Sequence, residues 1–388
     1  MVVAEEPLLT GRVIFQYLYD VGGEIDLKRL PKERLNIIER PKQRGERILA
    51  PKYEEVGLSP LEVALGSKRI DRHRAVVEGK IFPIGVIGIY ISIEFRKVTF
   101  DDLIRLVGLN EGQIRVGKRE VEFDDLALEH YRELRDLISK AITYPYTSLE
   151  QPQIYTLVLI ADSEPRLGAQ DFLKHYRKQT AGVLRYEPEW QSLSEKEVED
   201  ALKPYLSYSD DDIVIVDWYA ALISGAVEYM DDIVRMIESA QLQLLELKTY
   251  DRLLDESIAR VYGSLRSIYT TGWFGIAWMS RQYRELTRIT RELAELRIEI
   301  TDSVADLRNI TKFTGEWYLG KVYRLASERF RIPDWMALVD KKLSQLQEFY
   351  TMAMDRVNTQ RMHTLEVVIV LILAAWILLD VLSLVGFL

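Results

Sequence analysis

Apolar and polar positions alternate in part along Gly11–Tyr19, GRVIFQYLY, and again along Lys80–Phe95, where Ile89, Ile91, Ile93 and Phe95 recur at every second residue. Both stretches predict strands with one face turned toward a core. Pro83 and Gly85 break the second stretch into a hairpin-like pair, and Gln153–Ile160 predicts a further strand with IYTLVLI at its heart. Between these the period lengthens: Leu126, Leu128, His130, Leu134, Leu137, Ile138 and Ile142 mark a helix over Phe123–Ile142 that Pro145 closes. Two shorter helices are expected at Gln170–Gln179 and Glu195–Leu206, the latter opened by a capping box of Ser194 and Glu197. The charged stretch Arg40–Lys80, punctuated by Pro41, Pro51 and Pro60, predicts loops and short elements, and Ile213–Val216 predicts a short strand.

From about Ala220 strand signals stop. Val227, Met230, Val234, Ile237, Leu244, Leu247, Leu254, Ile258, Val261 and Leu265 recur mostly at three- and four-residue steps, the period of a long amphipathic helix. Thr270–Trp278, with two glycines and two tryptophans, predicts a turn between antiparallel helices. The returning helix carries a coiled-coil-like seam of Leu286, Ile289, Leu293, Leu296, Ile300, Val304 and Leu307. Pro333 suits the first turn of a last helix, whose Leu343 and Leu346 continue that seam. A seam of this length predicts association with further copies of the chain.

The last helix leads into Val367–Leu388, which holds a single ionisable residue, Asp380, and extends about 33 Å as a helix. Its apolar residues favour bilayer insertion by roughly −5 to −10 kcal/mol against about +3 kcal/mol for one central Asp. The expectation is a transmembrane tail anchor over residues 364–388, with membrane lipid as a partner. Arg356 and Arg361 precede the span and nothing basic follows, which places the N-terminal bulk in the cytoplasm or on a matrix-equivalent side. Asp380 is then a membrane-embedded polar residue, set between helices of an assembly.

Composition narrows the chemistry. A net charge of −9 argues against direct nucleic-acid binding, which needs clustered Lys and Arg. The absence of Cys removes disulfides, thiolate metal sites and thiol catalysis. The four histidines, His73, His130, His175 and His363, are scattered without ligand spacing, and neither a Gly-x-Ser-x-Gly nor a Walker pattern occurs, so no catalytic residue, cofactor or metal site is expected. Gly79, Gly85 and Gly88 read as strand turns, and Asp210–Asp212 as turn chemistry before a strand.

The run from Asp334 to Leu388, with Arg356-Val357-Asn358, Arg361 and Leu365-Glu366 entering an apolar helix, resembles the C-terminus of the "required for meiotic nuclear division" family, also called the sporulation-protein or YagE type. GRVIFQYLYDVGGEIDLKRL is similar to that family's opening strand, with Ile25-Asp26-Leu27 at its characteristic step. The resemblance implies a membrane-tethered, homo-oligomeric scaffold. The resulting expectation is an α+β protein: a mixed α/β domain over 1–219, long antiparallel coiled-coil-like helices over 220–363, and one C-terminal span over 364–388. Its expected role is that of a non-catalytic scaffold or tether that forms homo-oligomers through 220–363 and the anchor. The alternative is an oligomeric ion-conducting protein with the layout of CorA-type transporters, in which an α/β domain precedes long helices.

Overall fold

A computed structural model describes residues 6–38, 59–146, 151–225, 227–270, 288, 291, 294, 298 and 317–384. The chain is a mixed α+β protein with a large N-terminal sheet and C-terminal helices. It forms two compact units, Met1–Thr249 with Asp302–Met336, and Tyr250–Thr301 with Ala337–Leu388.

The first unit is built on β1, Leu8–Asp20, whose residues from Val13 onward are buried on both sides of the strand. β1 pairs antiparallel with β5, Val86–Val98, on one edge and with β9, Gln153–Glu164, on the other. Beyond β5 lie β4, His73–Phe82, β3, Leu61–Ile70, β6, Gln113–Val116, and β7, Arg119–Glu122. Beyond β9 lie β12, Ala220–Ser224, β11, Ile213–Val216, and β10, Tyr205–Leu206. Among the described residues this makes one sheet of 10 strands, antiparallel except where β12 runs parallel to β9. A separate pair joins β2, Gly22–Ile25, to β8, Ile142–Pro145.

Helices cover the sheet because its strands offer apolar side chains on both faces. On one face Phe15, Tyr17, Tyr19, Ile89, Ile91 and Ile93 join a core with Phe100 and Leu103 of α1, Phe100–Val107, and Phe123, Tyr131 and Leu134 of α2, Phe123–Ile138. Tyr19 stacks on Tyr131 with ring centroids 3.9 Å apart. Each such side chain contributes roughly 1.5–3 kcal/mol when removed from water. α3, Arg177–Arg185, and α4, Glu195–Leu202, close the same layer, and Ser194 accepts from the backbone N–H of Glu197 as the capping pattern requires. The other face meets α5, Met230–Thr270, through Arg12 to Asp231, 2.8 Å, and Lys248 to Gln153, 2.7 Å.

Three differences from the sequence reading have plain causes. β3 and β4 form a long hairpin inside the stretch expected to be irregular, because most of their charged side chains lie on the exposed side while Val63, Ile70, Ala75 and Val77 alternate inward. Asp71 supplies the left-handed residue at their turn, φ 49°. β12 occupies Ala220–Ser224, where helix was expected; a short, uninterrupted apolar run fits a strand buried on both faces as well as it fits a helix. Gly85, φ 85°, makes the expected turn between β4 and β5, and a Cβ there would sit 1.9 Å from the Gly22 carbonyl oxygen.

α6, Trp317–Arg329, and the opening of α7, Ile332–Leu384, complete the first unit. Between them Phe330 is buried and Arg331 takes a left-handed conformation, φ 55°, so the chain turns without glycine. In the second unit the later part of α5 and α7 run in the same direction: Lys342 lies 2.6 Å from both Asp251 and Asp255, while Phe349 meets the ring of Tyr262 further along each helix. The expected antiparallel partner lies outside the described residues, apart from Arg288, Arg291, Ala294 and Ile298.

One expectation is overturned. Among the described residues no helix is long and apolar enough to cross a membrane, which contradicts the tail anchor at 364–388, the single-pass localisation and the membrane-embedded role of Asp380. The physical reason lies in the flanking charges: the uncharged stretch between Glu366 and Asp380 extends roughly 20 Å as a helix, short of the ~30 Å apolar thickness of a bilayer.

Candidate functional site

Among the described residues, a highly charged and largely buried arrangement surrounds Asp217, the residue after β11. Its backbone N–H bonds the Ala220 carbonyl, 2.8 Å, which turns the side chain into the interior, where it is fully buried. Arg185, the last residue of α3, places Nε 2.8 Å from Oδ2, and Arg329, the last residue of α6, donates Nη2 to Oδ1. Both cations sit at helix C-termini, where the backbone carbonyls favour positive charge. Asp200 on α4 ties the two together, with Oδ2 2.6 Å from Arg185 Nη2 and 3.1 Å from Arg329 Nη2.

Aromatic groups seal this cluster. Tyr155 donates to the Asp217 carbonyl, 3.0 Å, and its ring meets Phe330 edge-on; the Arg329 guanidinium lies 5.4 Å from the Trp218 ring. Burial pushes the Asp217 carboxyl up, and the guanidiniums offset only part of that. The hydrogen bond from Arg329 holds the more exposed Asp200 below the usual carboxylate range. Carboxylates committed to two guanidiniums are engaged as structural partners rather than held ready as proton acceptors for a substrate; the cluster joins three helices to the β11–β12 turn.

A second cluster lies on the sheet face that meets α5. Glu238 of α5 is fully buried and its Oε1 accepts from Lys80 Nζ, 2.6 Å, and from the Tyr90 hydroxyl, 2.5 Å. Gln16 donates to the same hydroxyl at 3.4 Å. The acidic triplet separates: Asp212 is buried and accepts from the Tyr208 N–H, 3.1 Å, the Ser209 hydroxyl, 2.7 Å, and the Tyr318 hydroxyl, 3.3 Å, whereas Asp211 faces Arg166 at the surface.

The histidines remain apart. His130 is buried on α2, 3.5 Å from Glu133, and burial pushes its pKa down. His175 pairs with Asp171 at 2.8 Å on the surface, and His73 opens β4. The side chain of His363 lies outside the described residues.

Of the seam residues, Leu346 is buried and Leu343 half-buried in α7. Leu286, Ile289, Leu293, Leu296, Ile300, Val304 and Leu307 lie outside the described residues, as do the side chains of Arg356 and Arg361, whose backbone belongs to α7. Asp380 is exposed on the same helix. Around it α7 presents a continuous apolar surface, including Leu365, 61% exposed, Ile372, 63%, and Trp376, 67%. Sequence reasoning missed Arg185, Asp217 and Arg329; the available signal was an acid directly after an apolar strand, IVIVD, and arginines at two helix ends.

A ten-stranded sheet with its faces covered by helices, holding buried ion clusters and followed by a helix with an exposed apolar surface, defines a mixed α+β domain carrying a helical extension. The chain belongs to the family described as "Uncharacterized protein MJ0711, N-terminal domain", which matches residues 10–230. It is similar to the protein MJ0711 of Methanocaldococcus jannaschii, 24% identical over 228 residues that make up 58% of this chain and 65% of that relative. The match thus spans just under two thirds of the relative's length. No solved structure matches the chain.

This membership overturns the resemblance to the meiotic-division and YagE-type family. That resemblance rested chiefly on the C-terminal helix, and a long amphipathic helix with an apolar end is a pattern many unrelated chains share. The family match falls on residues 10–230, which hold the sheet, and leaves the C-terminal helix out.

Proposed function

We propose that the protein is a non-catalytic scaffold that forms homo-oligomers through its C-terminal helix, with the sheet unit presented as a binding body. One observation carries the reading: most apolar side chains of α7 from Leu365 to Val381 are exposed, with no cover among the described residues. The burial of Leu346 beside Lys342 and Phe349 supports it, since the same helix already packs along its earlier turns and leaves the later ones open.

The test is the mass of the full chain by light scattering. An oligomer that Ile372→Glu converts to monomer is the expected result, because a carboxylate on this surface costs several kcal/mol to bury unpaired. A monomeric wild type, or a monomer taken up by lipid vesicles, would overturn the reading.

A further inference from the structure

The hairpin of β3 and β4 closes on the sequence SKRIDRHR, in which Lys68, Arg69, Arg72 and Arg74 stand against one acid, Asp71. The ladder sets Arg69 directly opposite Arg74, and both are exposed. Their neighbours Ile70 and Ala75 are fully buried in the core, so by strand alternation the two arginines share the other face of the sheet. Arg72 is exposed in the turn itself. Two like charges facing each other across a strand pair weaken that pairing.

The adjacent acids are already engaged. Asp71 accepts the backbone N–H of Arg115, 3.0 Å, and Glu120 pairs with the Arg115 guanidinium, 3.0 Å. Glu94, one step beyond the last β4–β5 pair of Ala75 with Ile93, lies 3.8 Å from Arg96. Ile70 pairs with Val116, which brings the turn from β6 to β7 alongside and adds Lys118 and Arg119, both exposed. Among the described residues the side chains of Arg69, Arg72, Arg74, Lys118 and Arg119 make no ion pair or hydrogen bond.

The guanidinium fork matches phosphate geometry, and a row of phosphates laid over this face turns the repulsion between Arg69 and Arg74 into attraction to a shared polyanion. β3, β4, β6 and β7 expose no aromatic side chain of the kind on which single-stranded bases stack. Val76, 42% exposed, is the large apolar side chain that these strands expose, too little to enter a bilayer. We propose that this basic corner of the sheet, built from Arg69, Arg72, Arg74, Lys118 and Arg119, binds the phosphate backbone of double-stranded nucleic acid without reading its sequence. The net charge of −9 opposes such binding elsewhere on the chain and confines it to this face. The proposal stands whether or not the chain self-associates.

The test titrates the full chain into fluorescent DNA and RNA duplexes of arbitrary sequence, followed by anisotropy at several salt concentrations. Binding is expected to be indifferent to base sequence, with log affinity falling against log salt at a slope of roughly −3 to −4, about −0.9 for each phosphate contact. Arg69→Ala with Arg74→Ala is expected to weaken it at least about tenfold at low salt and to make the slope shallower by about two. Arg74→Thr alone is expected to raise the urea midpoint while weakening binding, which separates lost contacts from lost folding. No binding to either duplex at low salt, or a double variant that binds as the wild type does, would overturn the proposal. Uptake by vesicles of anionic phospholipid without duplex binding would overturn it in favour of a lipid surface.

Discussion

Two ion clusters in this chain are near mirror images in charge and opposites in setting. In the sheet unit one fully buried carboxylate, Asp217, holds two guanidiniums; in the helical unit one ammonium, Lys342, holds two carboxylates, one of them 60% exposed. Their partner counts are alike, but the central Asp217 is fully buried, whereas Asp255 beside Lys342 is largely exposed. Removing a partner from the buried cluster leaves a charge with no solvent to take its place, whereas water compensates most of the loss in the open one. Burial, and not the number of ion pairs, therefore decides which cluster the fold depends on.

Arg329→Ala tests this comparison most severely. It strips Asp217 of one of its two cations and Asp200 of another, and is expected to lower unfolding free energy by about 3 kcal/mol in urea titration. Arg329→Lys should recover little of this, because a single ammonium cannot reproduce the planar fork that serves both carboxylates. In the open cluster Lys342→Met is expected to cost only about 1 kcal/mol, and a loss equal to that of Arg329→Ala would break the comparison. Desolvation pulls the Lys342 pKa down, but its bonds to Asp251 and Asp255 prevail and raise it. Its contribution is thus complete below the unfolded value near 10.4 and is lost as pH climbs through the higher folded value.

The smallest expected effect separates the two acids of the buried cluster. Asp200 has a depressed pKa, so its contribution is present above the unfolded value of about 3.9 and is lost as pH falls through the folded one. Asp217 is shifted upward, so the folded state takes its proton more readily than the unfolded chain and this titration costs no stability in acid. Asp200→Asn should therefore flatten the stability profile below about pH 4, as read by urea midpoints at several pH values. An unchanged slope would remove Asp200 from the acid response.

Much of the sheet was legible because period-two patterning survives where one face is core and the other carries charge. β1, the β4–β5 turn at Gly85 and the capping of α4 by Ser194 all followed from local chemistry. β12 was not legible, since its alanines and aliphatic residues are buried on both faces and leave no alternation. Nor was the Asp217 cluster, whose members are separated by long stretches of sequence and meet only when α3, α4 and α6 have packed. The apolar end of α7 was legible as an apolar helix, but its reading as a membrane span was overturned.

The position of β1 bears on how the chain is made. It is synthesised before either of its neighbours in the finished sheet, β5 and β9, the latter ending at Glu164. At about 5–20 residues per second, on the order of ten seconds pass before both edges of this apolar strand find their partners. During that interval its unpaired backbone invites mispairing with other nascent chains. The core strand of the mature protein is thus the strand most in need of protection during biosynthesis, and slower elongation through residues 20–164 would be expected to lower soluble yield.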